Sequence, residues 1–168
     1  MKYILETERL TLREFIPADA AFILELVNSP GWLQFIGDRN IKTTEQAIAY
    51  LQNGPIKSYA ENGFGLAMVE TKDHKIPIGM CGIIKRDNLD NADIGFAFLP
   101  LFTGKGYAFE MANATLSYAV TQLKMPVIYA ITVANNLRSI RLLEKIGLKF
   151  IKKINAPKDN EELLLYSN

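Results

Sequence analysis

The residues of this chain best suited to chemistry lie in Phe96-Ala97-Phe98-Leu99-Pro100-Leu101-Phe102-Thr103-Gly104-Lys105-Gly106-Tyr107-Ala108-Phe109-Glu110, where an apolar strand turns through two glycines into a helix. Glycine lets a backbone approach a ligand closely, and the first turn of a helix offers unpaired N–H groups at the positive end of its dipole. An anion, above all a phosphate, is the expected occupant. Spacing excludes two nucleotide loops: Gly106 is followed by Tyr107-Ala108 rather than Lys-Ser/Thr, and two glycines are fewer than a dinucleotide fingerprint requires. A turn that uses glycine for conformation alone is the competing reading of this segment.

A second segment narrows the choice. Val127-Ile128-Tyr129-Ala130-Ile131-Thr132-Val133 reads as a strand, and Ala134 to Gly147 as an Asn-led helix with a glycine stop. The pair resembles the GNAT acyl-CoA N-acetyltransferases, in particular the branch of the ribosomal-protein N-terminal acetyltransferases. The family's pyrophosphate loop, Gln/Arg-x-x-Gly-x-Gly/Ala, falls on Thr103, Gly106 and Ala108, so the small residues match and the Gln/Arg position does not. Its Asn-x-x-Ser/Ala helix falls on Asn136 and Ser139. Thr7 to Phe15 looks like the branch's first strand and Pro77-Ile78-Gly79-Met80-Cys81-Gly82 like its third, so the likeness covers nearly the whole chain.

The resemblance implies an α+β (mixed α/β) domain over residues 1–168, with a central mixed, mostly antiparallel sheet flanked by helices. It implies transfer of acetyl from acetyl-CoA, with no metal, to a primary amine of a protein N-terminus or small molecule, through a tetrahedral intermediate that collapses to an amide and the CoA thiol. The pantetheine arm is expected along Phe96, Ala97 and Phe98, as an added strand would lie. The pyrophosphate is expected on the N–H groups of Thr103, Gly104, Lys105, Gly106, Tyr107 and Ala108. Thr103 offers a hydroxyl where a longer side chain is usual, and Lys105 either adds charge or is solvated. Asn136 is implied as a pantetheine contact and is equally a helix N-cap.

The family's proton-donating Tyr falls on Leu143, which has no proton to give. Ser139 is the nearest substitute as acid toward the CoA sulfur; a serine bonded to its own helix competes with that role, and water can replace it. Asp93, on the strand entering the cleft, is the candidate base, its pKa raised by enclosure; solvent exposure or loop capping are its alternatives. Glu110 is expected to pair with a basic neighbour. Because Thr103 and Leu143 both depart from the pattern, a catalytically silent acyl-CoA-binding protein is the rival reading.

Composition agrees with one enzyme-sized domain: 168 residues, 49% hydrophobic, suffice for a core without disulfides or metal. With 19 basic and 18 acidic residues spread along the chain, nothing suggests nucleic acid or a membrane surface as partner. The early charges at Lys2 and Glu6 and the lack of a span-length apolar run point to a cytoplasmic protein, monomer or homodimer. Cys81, the single cysteine, reads as a buried inert thiol.

The elements that position these residues can be read from pattern. Pro17 to Val27 and Thr43 to about Gln52 read as helices, the second opened by a Thr43/Gln46 capping box and stopped by Asn53-Gly54-Pro55. Between them Gly31 to Asn40 reads as irregular, with Trp32 serving either packing or the acceptor wall that the resemblance implies. Strands are expected at Phe64–Glu70, Pro77–Lys85, Ala92–Leu99, Phe150–Ile154 and Leu163–Tyr166, with His74 on a solvated hairpin tip. The helix from about Gly106 to Leu123 places Ala108, Met111, Ala112, Thr115, Leu116 and Ala119 on a core-facing side.

Overall fold

The computed structural model describes residues 1–168. Eight strands, β1 (Tyr3–Glu6), β2 (Leu10–Arg13), β3 (Leu66–Thr71), β4 (Pro77–Ile84), β5 (Asp93–Phe98), β6 (Tyr129–Thr132), β7 (Lys149–Asn155) and β8 (Glu162–Ser167), form one sheet in the order β1-β2-β3-β4-β5-β6-β8-β7. Every neighbouring pair is antiparallel except β5 and β6. The chain crosses between those two through α5 (Tyr107–Thr121), the connection that a parallel pair requires. The mostly antiparallel sheet flanked by helices is the architecture expected from the sequence.

Alternation along the strands divides the core. Ala67 and Val69 join Leu10, Leu12, Cys81, Met111, Ala112 and Leu143 on the face covered by α5 and α6 (Leu137–Lys145). Met68 and Met80 point to the other face, against Phe22, Ile23, Leu26, Ala47 and Leu51 of α1 (Ala20–Val27) and α3 (Thr44–Leu51). The expected core side of α5 is buried from Met111 to Ala119, but Ala108 lies half-buried and lines a cleft instead. Cys81 is buried, its thiol 3.4 Å from the Thr115 hydroxyl and pushed up to about 12 by desolvation, so it is the inert thiol expected.

Three local readings are corrected. The stretch from Gly31 is not irregular at its start: α2 (Pro30–Phe35) forms there, because Pro30 presets the helical φ in the first turn and Trp32 buries its ring against the α1/α3 cluster. Asn53-Gly54-Pro55 does not stop the second helix. A wide turn over Gln52–Ile56 absorbs the missing N–H of Pro55, and the chain continues into α4 (Lys57–Asn62), which ends at Gly63 with φ +77°. Pro77–Gly82 belongs to the fourth strand, not the third, because Tyr3–Glu6 adds an edge strand before Leu10.

A charged cluster ties α1 to the sheet. Arg13, 3% exposed, donates from Nε to Glu70 Oε1 at 2.7 Å and clamps both Asp19 oxygens at 2.8 and 2.9 Å. Such a fork matches the planar guanidinium to two carboxylates at once. Arg13→Met strands two carboxylates with little solvent. It is expected to cost about 3–5 kcal/mol of stability, the penalty typical of breaking a buried pair, read as a lower urea midpoint at unchanged m-value.

Candidate active site

β5 is hydrogen-bonded to β4 from Ile84↔Asp93 to Gly79↔Phe98, yet it pairs with β6 at one position only, Asp93↔Tyr129. Beyond that point the two strands part. The opening is the floor of a cleft of about 930 Å³, bounded by Phe96, Ala97 and Phe98 on β5, by the turn at Phe102–Gly106, by α6, and on the far wall by residues of α2 and α3. Backbone groups on the free side of β5 are available to a peptide-like arm laid alongside them.

At the end of β5 a short 3-10 turn (Pro100–Phe102) leads to Gly104 and Gly106, with φ of +74° and +81°. Both angles lie in the left-handed region that favours glycine. Gly106 is the N-cap of α5, whose first intrahelical acceptor is its own carbonyl, bonded to the Glu110 N–H at 3.0 Å; the N–H groups of Tyr107, Ala108 and Phe109 precede that bond. A Cβ built on Gly106 would stand 3.3 Å from Arg9 Nη2, a contact that the guanidinium relieves by shifting a few tenths of an ångström, so the positive φ is what calls for glycine there.

Glu110 finds the basic partner expected of it. Its Oε2 accepts from Arg9 Nε at 2.7 Å, its Oε1 from the Arg9 N–H at 2.9 Å and the Thr7 hydroxyl at 2.6 Å, while Arg9 Nη1 reaches the Lys105 carbonyl at 3.1 Å. Burial works to raise the Glu110 carboxyl, but the hydrogen bonds from Thr7 and Arg9 outweigh it and hold the group below its ordinary value. The turn is thereby fastened to the segment between β1 and β2.

Around this anchor the backbone cradle is in place, and Lys105 follows its solvated alternative rather than adding charge to the cleft. Lys105 does not line the cleft; its Nζ sits 5.6 Å over the Phe102 ring. Tyr107 is likewise turned away, its ring stacked under the Arg9 guanidinium at 4.4 Å. The Thr103 hydroxyl donates to the Pro100 carbonyl at 2.9 Å and so closes its own turn. Gly104, Gly106, Ala108 and Thr103 do line the cleft.

At the start of α6, Asn136 Oδ1 caps the helix by accepting the Ser139 N–H at 3.2 Å, its backbone N–H donates to the Val133 carbonyl at 3.1 Å, and its side-chain Nδ2 has no partner within the protein. The Ser139 hydroxyl makes no bond to its own helix, against the competing reading, and both residues line the cleft. Leu143 is a buried aliphatic wall, 1% exposed. Asp93 is not solvent-exposed; it lines the cleft at 1% exposure and accepts from Arg86 Nε of the loop after β4 at 2.8 Å. Burial raises its pKa and Arg86 partly offsets the rise.

Several cleft residues are not singled out by the sequence. Arg138, Arg141 and Lys145 face the cleft from α6, and their i, i+3, i+7 spacing is a legible helical stripe. Arg39 and Tyr50 reach the far wall only through the packing of α2 and α3, which no local pattern announces; Trp32, for which the sequence left packing or a wall position open, takes part in both.

Residues 9–149 match the acetyltransferase (GNAT) domain family, and the chain belongs to it. It is 30% identical over 158 residues to the uncharacterized N-acetyltransferase YnaD of Bacillus subtilis, covering 92% of this chain and 89% of that protein. It is 26% identical over 140 residues, 83% of this chain and 78% of the relative, to a spermidine N(1)-acetyltransferase of Vibrio cholerae. Its fold superposes on RimL, a ribosomal L7/L12 α-N-protein acetyltransferase in complex with coenzyme A, with a TM-score of 0.85 at 14% identity, covering 99% of this chain and 97% of the other. The protein is thus an N-acetyltransferase of the GNAT family. Gly106→Val, which places a β-branched residue at φ +81°, is expected to weaken CoA binding at least about tenfold in calorimetry, while circular dichroism shows the fold retained.

Proposed function

We propose that this chain binds acetyl-CoA in the cleft between β5 and β6 and transfers its acetyl group to a primary amine. The observation that carries this reading is the conjunction of a free β5 edge with a doubly left-handed glycine turn capping α5. The edge suits the amides of the pantetheine arm, and the N–H groups at the start of α5 suit the pyrophosphate. Arg138, Arg141 and Lys145 add positive charge along the same cleft. The reaction is expected in the cytoplasm, by a monomer or homodimer.

The chain's own groups supply the remaining needs. Asp93, held by Arg86 and with its pKa raised, accepts the proton that the acceptor ammonium must lose, directly or through water. The unengaged Ser139 hydroxyl on α6 serves as donor toward the sulfur of the leaving CoA, and the Asn136 amide nitrogen orients the arm. Leu143 keeps that wall apolar. These roles require turnover, whereas a silent acyl-CoA binder requires none.

Release of free CoA thiol from acetyl-CoA is therefore measured against a panel of amines and N-terminal peptides, with the Gly106→Val variant as blocked-cradle control. Acceptor-dependent release that the control abolishes is expected; tight binding without release across the panel selects the silent binder. The base assignment has its own signature. A base must be deprotonated to act, so kcat is expected to fall on the acid side, with its limb above the ordinary Asp value of 3.8 because burial raises Asp93. Asp93→Asn is expected to lower kcat by about 10²-fold and to remove that limb from the pH profile.

A further inference from the structure

The acceptor's chemistry follows from the charges on the cleft. Its lining carries five cationic side chains, Arg39, Arg86, Arg138, Arg141 and Lys145, against one carboxylate, Asp93. Asp93 is already neutralised by Arg86 at 2.8 Å. Arg138, Arg141 and Lys145 all stand on α6, beside the cradle assigned to the cofactor's phosphates. Arg39 stands apart from them, on the far wall.

That wall is apolar around one cation. Trp32, Phe35 and Ile36 come from α2 and its end, and Tyr50 from α3. Arg39 has no carboxylate partner within the protein; its neighbour Asp38 bonds Lys42 instead, at 3.3 Å. Arg39 and Tyr50 feel each other: burial pushes the Tyr50 phenol up and the Arg39 charge pulls it back. The Trp32 indole N–H, on a residue 5% exposed, has no hydrogen-bond acceptor. The guanidinium and the phenol offer donors to an anion, set in an apolar wall, whereas the indole N–H is buried within the α1/α3 cluster and does not reach the cleft.

We infer that the acceptor is a small primary amine bearing a carboxylate and an apolar body, an amino-acid-like zwitterion, whose carboxylate is held by Arg39 at the α2/α3 end of the cleft while its amine faces β5. A polycation finds no carboxylate there beyond Asp93, which Arg86 already pairs, and meets the free charge of Arg39 on the far wall. The inference rests on the transferase reading above. In the transfer, the thioester C–S bond of acetyl-CoA breaks and an amide C–N bond forms. Of the two protons lost by the ammonium, one ends on the CoA thiol and the other leaves through Asp93 to solvent.

The test separates the acceptor subsite from turnover. Titration calorimetry on the CoA-saturated protein compares N-acetylphenylalanine with N-acetylphenylalaninamide, which differ only in the anionic group. The acid is expected to bind at least about tenfold more tightly, the effect of one charge-assisted hydrogen bond. Arg39→Gln is expected to erase that gap and leave CoA affinity unchanged; Arg39 is exposed, so the fold does not depend on it. Thiol release with phenylalanine, phenylalaninamide and spermidine is measured in parallel, and phenylalanine is expected to give the highest kcat/KM. Equal or tighter binding of the amide, a gap that survives Arg39→Gln, or spermidine as the preferred acceptor overturns the inference. A gap that Arg39→Gln erases, with no thiol release from any amine, overturns the transferase reading and leaves the anion subsite standing.

Discussion

The structure turns on one interrupted hydrogen-bond ladder. β5 and β6 meet at Asp93↔Tyr129 and then separate, so a sheet that is otherwise paired strand by strand presents a stretch of unsatisfied backbone in its middle rather than at its edge. Buried backbone groups without partners are costly, and this stretch escapes that cost only because the cleft admits water or a ligand. An extended, amide-rich arm can complete the ladder. The parallel crossover through α5 makes the opening possible, since it delivers the chain to β6 by way of a helix whose N-terminus lies at the mouth of the gap.

Keeping the gap open and its rim in place falls to charged contacts on two sides. Glu110 and Arg9 join the first turn of α5 to the segment before β2, and Arg9 also holds the Lys105 carbonyl. On the other side of the sheet, the Arg13 fork between Glu70 and Asp19 sets the start of α1 against β2 and β3. The helices that follow, α2 and α3, supply the far wall of the cleft. The two arginines of one short segment therefore position opposite walls of the same site.

Much of this was legible locally. Glycines at a strand-to-helix turn, Asn136 three residues before Ser139, and alternation in the strands are short-range signals, and the fold and cradle follow from them. What escaped the sequence depended on distance or on the partner a side chain chooses. Arg9 and Glu110 are 101 residues apart, so nothing near Tyr107 or Lys105 reveals that the turn is anchored from outside and that their side chains are drawn away from the cleft. Pro55 reads as a stop because the wide turn that accommodates it has no compositional mark. Arg39 becomes a cleft residue only after α2 and α3 pack, and the loose composition of 31–40 hides the helix that begins at Pro30.

The free side of β5 and the start of α5 are expected to act as a single binding surface for acetyl-CoA. Amide hydrogen exchange with and without CoA measures it residue by residue. New protection is expected at residues 94–98 and at 104–109 together, with β1 and β7 unaffected. Saturating CoA that leaves the β5 amides exchanging as before, or that protects a different face of the sheet, contradicts it.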